Sequence, residues 1–263
     1  MDMQEARGRY FEQGYFIVDD AVTPDMIDQL EAAGRQVVDK VRSGEVDVSG
    51  QGPGSTGVLG LIDPAFGEKA FAEYYISGPL TSYVESFLGP ELRMGALVLW
   101  CVEDRSYDSG WHRDTYPPRD ADLEGEEEMA MLDQPFNHFK WSMAILDDPC
   151  LWVVPGSHLR NRTEEETAVL RGSRREELSG QVHIDLKRGQ TVFWDGRLLH
   201  RGRKPDSLPR RLGLAASYKK WLPDQEKEET SSDWQWMLKE EVRDFLPEPA
   251  RPLWERWCAV QKP

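Results

Sequence analysis

The sequence has little cysteine, no long apolar run and no surplus of positive charge. Its three cysteines include no Cys-x-x-Cys pair, which argues against a disulfide framework or a structural zinc knuckle. No stretch approaches the roughly 18 apolar residues of a membrane-spanning helix. The N-terminus lacks a basic region followed by an apolar segment, so we expect no signal peptide and a cytoplasmic protein.

The charge balance is acidic. The 263 residues include 32 Lys and Arg against 47 Asp and Glu, for a formal net charge of −15. Nucleic-acid-binding surfaces need an excess of basic residues to displace counterions from phosphates. We therefore expect no nucleic-acid or membrane partner. The sequence does not indicate an oligomeric state.

Helical patterns stand at both ends of the chain. Thr23 followed by Pro24 is a typical helix start, and apolar residues recur after it at helical spacing. Gly78-Pro79 is expected to interrupt a second helical region. Helices are predicted over 24–42, 68–88 and 231–246.

From residue 92 the pattern changes to short β-rich runs separated by turn residues. Several short strands with Gly and Pro turns favour a sandwich or barrel, including the double-sheet jelly roll. We predict one domain over 1–263, mainly β with flanking helices, as a double-stranded β-helix (jelly roll, cupin-like) with its core at about 92–220. Strands are predicted at 14–18, 92–102, 138–146, 151–154, 181–186, 191–194 and 211–218.

A His-x-Asp motif lies at His112 and Asp114. Residues i and i+2 of a strand point to the same face, so an imidazole nitrogen and a carboxylate oxygen can meet at one point. A distant second histidine would complete a 2-His-1-carboxylate triad, which suits Fe(II) because three coordination positions stay open. Alone, the motif is weakly specific, and a surface His–Asp pair is the ordinary alternative.

Four other histidines are candidates for the second ligand: His138, His158, His183 and His200. His200 is preferred because it follows a strand, a turn and an apolar segment, and it precedes a basic run. Arg210 and Arg211 stand at the head of the last predicted strand. A guanidinium there would suit the distal carboxylate of 2-oxoglutarate, since it is always charged and makes two parallel hydrogen bonds.

Together these residues resemble the phytanoyl-CoA dioxygenase family of Fe(II)- and 2-oxoglutarate-dependent oxygenases. The most specific match is 150–158, Cys-Leu-Trp-Val-Val-Pro-Gly-Ser-His, and the opening segment 11–18 is also similar. The resemblance implies a 2-oxoglutarate-dependent dioxygenase, an oxidoreductase that uses Fe(II), 2-oxoglutarate and O₂. It would oxidise, and preferentially hydroxylate, an unactivated C–H bond of a small-molecule substrate and release succinate and CO₂.

The resemblance also implies roles for individual residues. His112 and Asp114 match the family's His-x-Asp ligands and His200 matches its distal histidine, so these three are the expected metal ligands and catalytic residues. The spacing of the family's arginine from the distal histidine selects Arg211 as the 2-oxoglutarate anchor. Trp141 matches a tryptophan that often packs on the co-substrate, with an ordinary core aromatic as the alternative.

The sequence departs from the family pattern in three places. Arg113 replaces a usual glutamine, Asp148-Pro149 replaces a usual Glu-Asn-Gly, and the stretch between Asp114 and Trp141 is long. These positions lie where substrate would approach, so no known family substrate, including a CoA thioester, is transferred to this chain. Asp114 argues against halogenation, because related halogenases carry Ala or Gly there.

Two other functions stay open at this point. A cupin-like zinc or manganese hydrolase or isomerase also needs three protein ligands and a water, but it would leave Arg211 without a carboxylate to bind. The other is a catalytically silent jelly-roll binding module. The loops 43–67 and 118–135 are candidate lids, because long loops in compact domains are often functional. Desaturation and cyclisation are not excluded.

Overall fold

The computed structural model describes residues 1–49, 51–103, 105–114 and 123–262. Part of the predicted lid 118–135, residues 118–122, lies outside them. The described strands are β1 (Tyr15–Val18), β2 (Gly57–Val58), β3 (Leu92–Trp100), β4 (Tyr107–Asp108), β5 (His138–Ala144), β6 (Asp148–Val153), β7 (Val182–Leu186), β8 (Thr191–Trp194), β9 (His200–Lys204), β10 (Gly213–Lys220), β11 (Glu228–Glu229) and β12 (Gln261–Lys262).

Eight α-helices flank these strands within the described residues: α1 (Met3–Gln13), α2 (Pro24–Ser43), α3 (Ala70–Tyr75), α4 (Gly78–Leu88), α5 (Gly125–Leu132), α6 (Glu164–Arg171), α7 (Glu240–Phe245) and α8 (Arg251–Ala259). Thr23 caps α2, as its side-chain oxygen accepts a hydrogen bond from the Met26 amide at 3.3 Å. None of the described helices is long and apolar enough to cross a membrane. The cytoplasmic location and the one-domain organisation stay predictions.

Two antiparallel sheets form the core of the fold. The larger sheet has the strand order β1-β8-β5-β10-β3-β2, and the smaller has the order β4-β9-β6-β7. Apolar side chains from both sheets pack together between them, among them Ala144 and Val192 from the larger sheet and Val153 and Ile184 from the smaller. This arrangement is the mainly β jelly roll with flanking helices that was predicted.

The two faces of the larger sheet have different surroundings. Because side chains alternate along a strand, Trp141 of β5 and its partner Phe193 of β8 face away from the smaller sheet. They belong to a large apolar cluster that also contains buried residues of α1 to α4. Lys140, Ser142 and Trp194 point the other way, into the space between the sheets. The site is therefore built on the inner face.

The C-terminal region differs from the single helix predicted over 231–246. A 3-10 helix covers Ser232–Leu238 and α7 follows it, because Lys239 between them has an extended backbone. Helices α1 and α8 are among those that were not predicted. In α1 only Ala6 and Tyr10 are buried, so its apolar periodicity is too weak to detect, and α8 lies beyond the predicted elements.

Candidate metal centre

His112 and His200 are brought together by backbone pairing between distant parts of the chain. Each residue donates its amide N–H to the other's carbonyl oxygen at 3.0 Å, forming an antiparallel bridge. The bridge places His112 beside His200, which is the first residue of β9 in the smaller sheet. Directly opposed side chains of such a pair are close neighbours, and the two imidazole ring centroids are 4.4 Å apart.

The Asp114 side chain lies on the same side of the extended segment as His112, because the side chain of Arg113 between them points to the opposite side. The Arg113 guanidinium is buried, forms an ion pair with Glu128 and donates to the Ser157 carbonyl at 2.9 Å. The backbone of Asp114 is held by its amide, which donates to the Gly196 carbonyl at 2.7 Å. The anchored Arg113 thus keeps the His-x-Asp alternation in place.

The three side chains have the geometry of a metal site. The donor atoms of His112, Asp114 and His200 all lie within 4.8 Å of one another. Nε2 of His112 lies 3.6 Å from Oδ1 of Asp114, and Nε2 of His200 lies 3.2 Å from Oδ2 of the same carboxylate. Donors about 2.1 Å from one ion in adjacent octahedral positions are about 3 Å apart, so a small shift of these side chains would accommodate an iron ion.

Both imidazoles are oriented by backbone carbonyls. Nδ1 of His112 lies 2.8 Å from the Gly110 oxygen, and Nδ1 of His200 lies 2.8 Å from the Leu198 oxygen. Because a carbonyl oxygen only accepts, these contacts place an N–H on Nδ1 of each ring, and both Nε2 atoms face Asp114. Such outer contacts are typical of metal-binding histidines.

The electrostatic environment favours the forms that bind metal. Burial, together with the proximity of His200, lowers the pKa of His112 to about 4. Burial alone would raise the pKa of Asp114, but Lys140 and the two histidines hold it well below its usual range. At neutral pH the site thus presents a neutral His112 and an ionised carboxylate, the protonation states that a metal requires.

Lys140 is a polar neighbour of the triad; the sequence indicated it as a possible partner of an anionic substrate, but not as a partner of Asp114. Its ammonium forms an ion pair with Asp114 and lies 5.0 Å from the centroid of the Trp194 ring. Only strand alternation on β5 could have indicated it, since Lys140 and Ser142 share the inner face. Lys140 holds one carboxylate oxygen of Asp114 and thereby limits its rotation.

The triad opens into a cavity of about 280 Å³ between the two sheets. Arg211, which is buried, contributes to its wall, whereas Arg210 is exposed and pairs with Glu103. The Arg211 guanidinium carbon lies 5.5 Å and 5.8 Å from the Trp100 and Tyr107 ring centroids. The cavity is lined by Trp100, Tyr107, Ser109, His112, Asp114, Lys140, Ser142, Asp148, Leu151, Leu186, Trp194, His200, Gly202, Arg211 and Ala215.

A second cavity, of about 430 Å³, borders Asp114 and extends along the other end of the larger sheet. His138 and Lys219, which are paired across β5 and β10, both line it. Most of the described side chains in its wall are polar. They are Asp114, Gln134, Asn137, His138, Asp195, Arg197, Lys219, Glu228 and Glu229, with Met131, Pro135 and Phe136 as the apolar part.

The remaining histidines lie outside the triad. His183 is exposed, stacks on Trp152 with 4.2 Å between ring centroids, and contacts the Pro149 carbonyl. His158 is buried behind the turn at Gly156. His138 lines the second cavity. Within the described part of the chain, only His112, Asp114 and His200 converge as possible metal ligands.

Trp141 does not line the co-substrate cavity. Its indole is fully buried on the outer face of the larger sheet, where Nε1 donates to the Tyr74 hydroxyl at 3.0 Å. The ring packs against Tyr218, with 5.7 Å between centroids. These are the neighbours of a core aromatic, the alternative considered from the sequence, and we do not carry Trp141 forward as a co-substrate residue.

Comparison with known families gives a match over most of the chain. The model of the family described as phytanoyl-CoA dioxygenase (PhyH) matches residues 10–212. The match includes the triad and Arg211. This chain belongs to the phytanoyl-CoA dioxygenase family. It is accordingly a 2-oxoglutarate-dependent dioxygenase whose cofactors are iron and 2-oxoglutarate, with O₂ as the oxidant, as predicted.

Solved structures show the same fold at low sequence identity. AviO1 from Streptomyces viridochromogenes Tue57 is 20% identical, with a TM-score of 0.60 over 83% of this chain and 95% of its own. EctD from S. alaskensis with bound Fe is 18% identical, with a TM-score of 0.61 over 84% and 77%. The epimerase SnoN, in complex with Fe3+, alpha ketoglutarate and nogalamycin RO, is 20% identical, with a TM-score of 0.58 over 83% and 84%. No match was found among curated proteins.

His138 of this PhyH protein is expected to make folding sensitive to acid. Burial, and then Lys140 and Lys219, lower its pKa from 6.5 to about 3. The unfolded chain therefore binds more protons between these two pH values, so the free energy of unfolding falls as pH drops through that window. In His138→Asn this fall is expected to be smaller, as measured by denaturant unfolding of metal-free protein at several pH values. An equal slope in both proteins would contradict the assignment, and the exposed His183→Asn provides the matched control.

Proposed function

We propose that this chain hydroxylates an unactivated C–H bond of a small-molecule substrate, with release of succinate and CO₂. The proposed metal ligands and catalytic residues are His112, Asp114 and His200, and the proposed 2-oxoglutarate anchor is Arg211. The observation that carries the proposal is the convergence of two imidazole Nε2 atoms and one carboxylate at a cavity that also contains a buried arginine. Fe(II) bound there would supply the activation of O₂ with electrons from 2-oxoglutarate.

The protein residues would contribute position and charge. The carbonyls of Gly110 and Leu198 hold the two imidazoles in the ligand tautomer, and Lys140 keeps Asp114 ionised. The terminal Nη groups of Arg211 would donate to the distal carboxylate of 2-oxoglutarate. Burying an arginine is costly unless its charge is paired, and the ion pair with Asp148 offsets that cost for Arg211 while leaving its Nη groups available.

We further propose that the substrate is a small polar molecule bound in the second cavity. This cavity borders Asp114, and charged and amide side chains in its wall, among them Asn137, Lys219 and Glu228, could bind polar groups of a ligand. A second candidate reaction is epimerisation, because one structure of the same fold is an epimerase. Both reactions begin with removal of hydrogen from carbon and differ in whether oxygen is transferred.

The test is a turnover assay with anaerobically purified protein, Fe(II), 2-oxoglutarate and a panel of small polar compounds. We expect succinate release to rise above its substrate-free background with at least one compound, in an O₂-dependent manner. Hydroxylation adds one oxygen atom from labelled O₂ to the product, whereas epimerisation leaves the mass unchanged. Turnover of a compound without 2-oxoglutarate or O₂ would instead favour a metal-dependent hydrolase or isomerase and contradict the proposal.

A further inference from the structure

The proposed co-substrate end of the cavity contains a second charged group, Asp148. Both Asp148 and Arg211 are almost fully buried, with 3% and 6% of their surface exposed. Nε of Arg211 donates to both Asp148 carboxylate oxygens, at 3.2 Å and 3.1 Å. Asp148 also lines the cavity itself, so its charge lies beside the position where a distal carboxylate would bind.

The ion pair uses only part of the Arg211 guanidinium. A guanidinium has five N–H donors, and Nε supplies the contact with Asp148. Within the described part of the chain, Nη1 and Nη2 make no hydrogen bond. Burial alone would lower the pKa of Arg211, but Asp148 raises it above its usual value. Arg211 is thus permanently charged and still able to bind an anion.

This arrangement makes two negative charges share one positive charge. Asp148 already offsets the charge of Arg211 before the co-substrate arrives, and a distal carboxylate on the Nη groups would lie roughly 5 to 6 Å from Asp148. In a buried cavity, like charges at this separation repel strongly. Lys140 also lines this cavity but pairs with Asp114, and the buried Lys204 lines a separate pocket. Asp148 is also one of the positions where this chain departs from the Glu-Asn-Gly usual in its family.

We propose that Asp148 is a specificity-determining residue, whose negative charge weakens the binding of 2-oxoglutarate. The inference rests on the proposed role of Arg211 as the anchor. The proposal implies that a negative charge on the distal group of a ligand adds less to its affinity here. It would add more if Arg211 had no carboxylate partner. The dissociation constant for 2-oxoglutarate would accordingly be higher, so the occupancy of the site would change over a higher range of 2-oxoglutarate concentrations. Succinate, which has the same distal carboxylate, would be released readily.

The test measures binding rather than turnover. Anaerobic Fe(II)-loaded protein is titrated with 2-oxoglutarate, and the dissociation constant is read from calorimetry and from the visible absorption of the complex. Asp148→Asn keeps an oxygen acceptor for Nε but removes the charge. We expect it to bind 2-oxoglutarate at least about tenfold more tightly than the unmodified protein. Equal or weaker binding by Asp148→Asn would overturn the proposal and leave Asp148 as a residue that only positions Arg211.

Two controls separate charge from structure. The first is 5-methyl-2-oxohexanoate, in which an isopropyl group of similar shape replaces the distal carboxylate. Its affinity should be the same in Asp148→Asn and the unmodified protein, and an equal gain for both ligands would contradict a charge effect. The second is Asp147→Asn, which removes a neighbouring exposed carboxylate and should leave both affinities unchanged.

A measurement on the unmodified protein covers the case in which Asp148 variants fail to fold. Truncating one partner of a buried ion pair costs at least about thirtyfold in affinity. Because Asp148 already offsets the charge of Arg211, the dissociation constants of 5-methyl-2-oxohexanoate and 2-oxoglutarate should differ by less than about thirtyfold. A larger preference would overturn the inference. If the unmodified protein binds neither 2-oxo acid in the presence of Fe(II), the proposed function itself fails, which is a distinct outcome.

Discussion

His200→Ala is expected to lower the affinity for Fe(II) by more than about 100-fold and to reduce succinate release to background. Loss of residues that only orient metal ligands typically costs 10- to 100-fold in affinity, and His200 is proposed to donate directly. Its backbone pairing with His112 does not need the side chain, so the fold should persist. Metal content after anaerobic purification and equilibrium dialysis with Fe(II) would measure the change.

The matched control for this variant is His183→Ala. His183 is also a strand histidine of the smaller sheet, but it is exposed and stacks on Trp152. It should keep normal metal content and succinate release. If His200→Ala bound Fe(II) within tenfold of the unmodified protein, the triad would not be the metal site, and the proposed function would lose the observation that carries it.

Arg211→Met is expected to have two separable effects. The dissociation constant for 2-oxoglutarate should rise by more than about 30-fold, because the distal carboxylate loses its only proposed cationic partner. The free energy of unfolding should fall by about 3–5 kcal/mol, because the buried Asp148 is left without a counter-charge. Anaerobic titration and denaturant unfolding measure the two quantities independently.

The double variant Arg211→Met, Asp148→Leu distinguishes stability from binding. Replacing both members of a buried ion pair by apolar side chains is often neutral for stability, so this variant should regain most of the lost free energy of unfolding. It should bind 2-oxoglutarate more tightly than Arg211→Met, because the Asp148 charge is gone, but still more weakly than the unmodified protein. Arg210→Ala, in the exposed neighbouring residue, should change neither quantity by much. An affinity of the double variant for 2-oxoglutarate equal to that of the unmodified protein would argue against Arg211 as the anchor.

The parts of the site that follow from side-chain alternation along a strand and from motif spacing could be predicted from the sequence. The alternation of side chains along a strand directs His112 and Asp114 to one side, and the choice of Arg211 over Arg210 agrees with the burial of one and the exposure of the other. The burial of Asp148 was not predictable, because Asp148-Pro149 stands in place of the family's usual Glu-Asn-Gly and gave no indication of an inward-facing carboxylate. Its environment depends on the register of β6 against β7 and β9.

Local rules failed where tertiary contacts override them. Strand β9 was not predicted, because its basic residues resemble a solvated segment. In the structure, Arg201 pairs with Asp108 and Arg203 with Glu177, which are far away in sequence. Trp141 occupies the core because alternation on β5 places it opposite Lys140 and Ser142. A motif match identifies the residue type but not the face on which it lies.

The sequence by itself determined the jelly-roll class, the family and the identity of the expected ligands, since these depend on strand periodicity and on short motifs with a required chemistry. Only the tertiary structure decided that His200 lies opposite His112, that Lys140 contacts Asp114 and that Asp148 contacts Arg211. These contacts join residues up to 88 positions apart. Such distances in the chain are bridged by sheet register, and register is set by the packing of both sheets together rather than by any one segment.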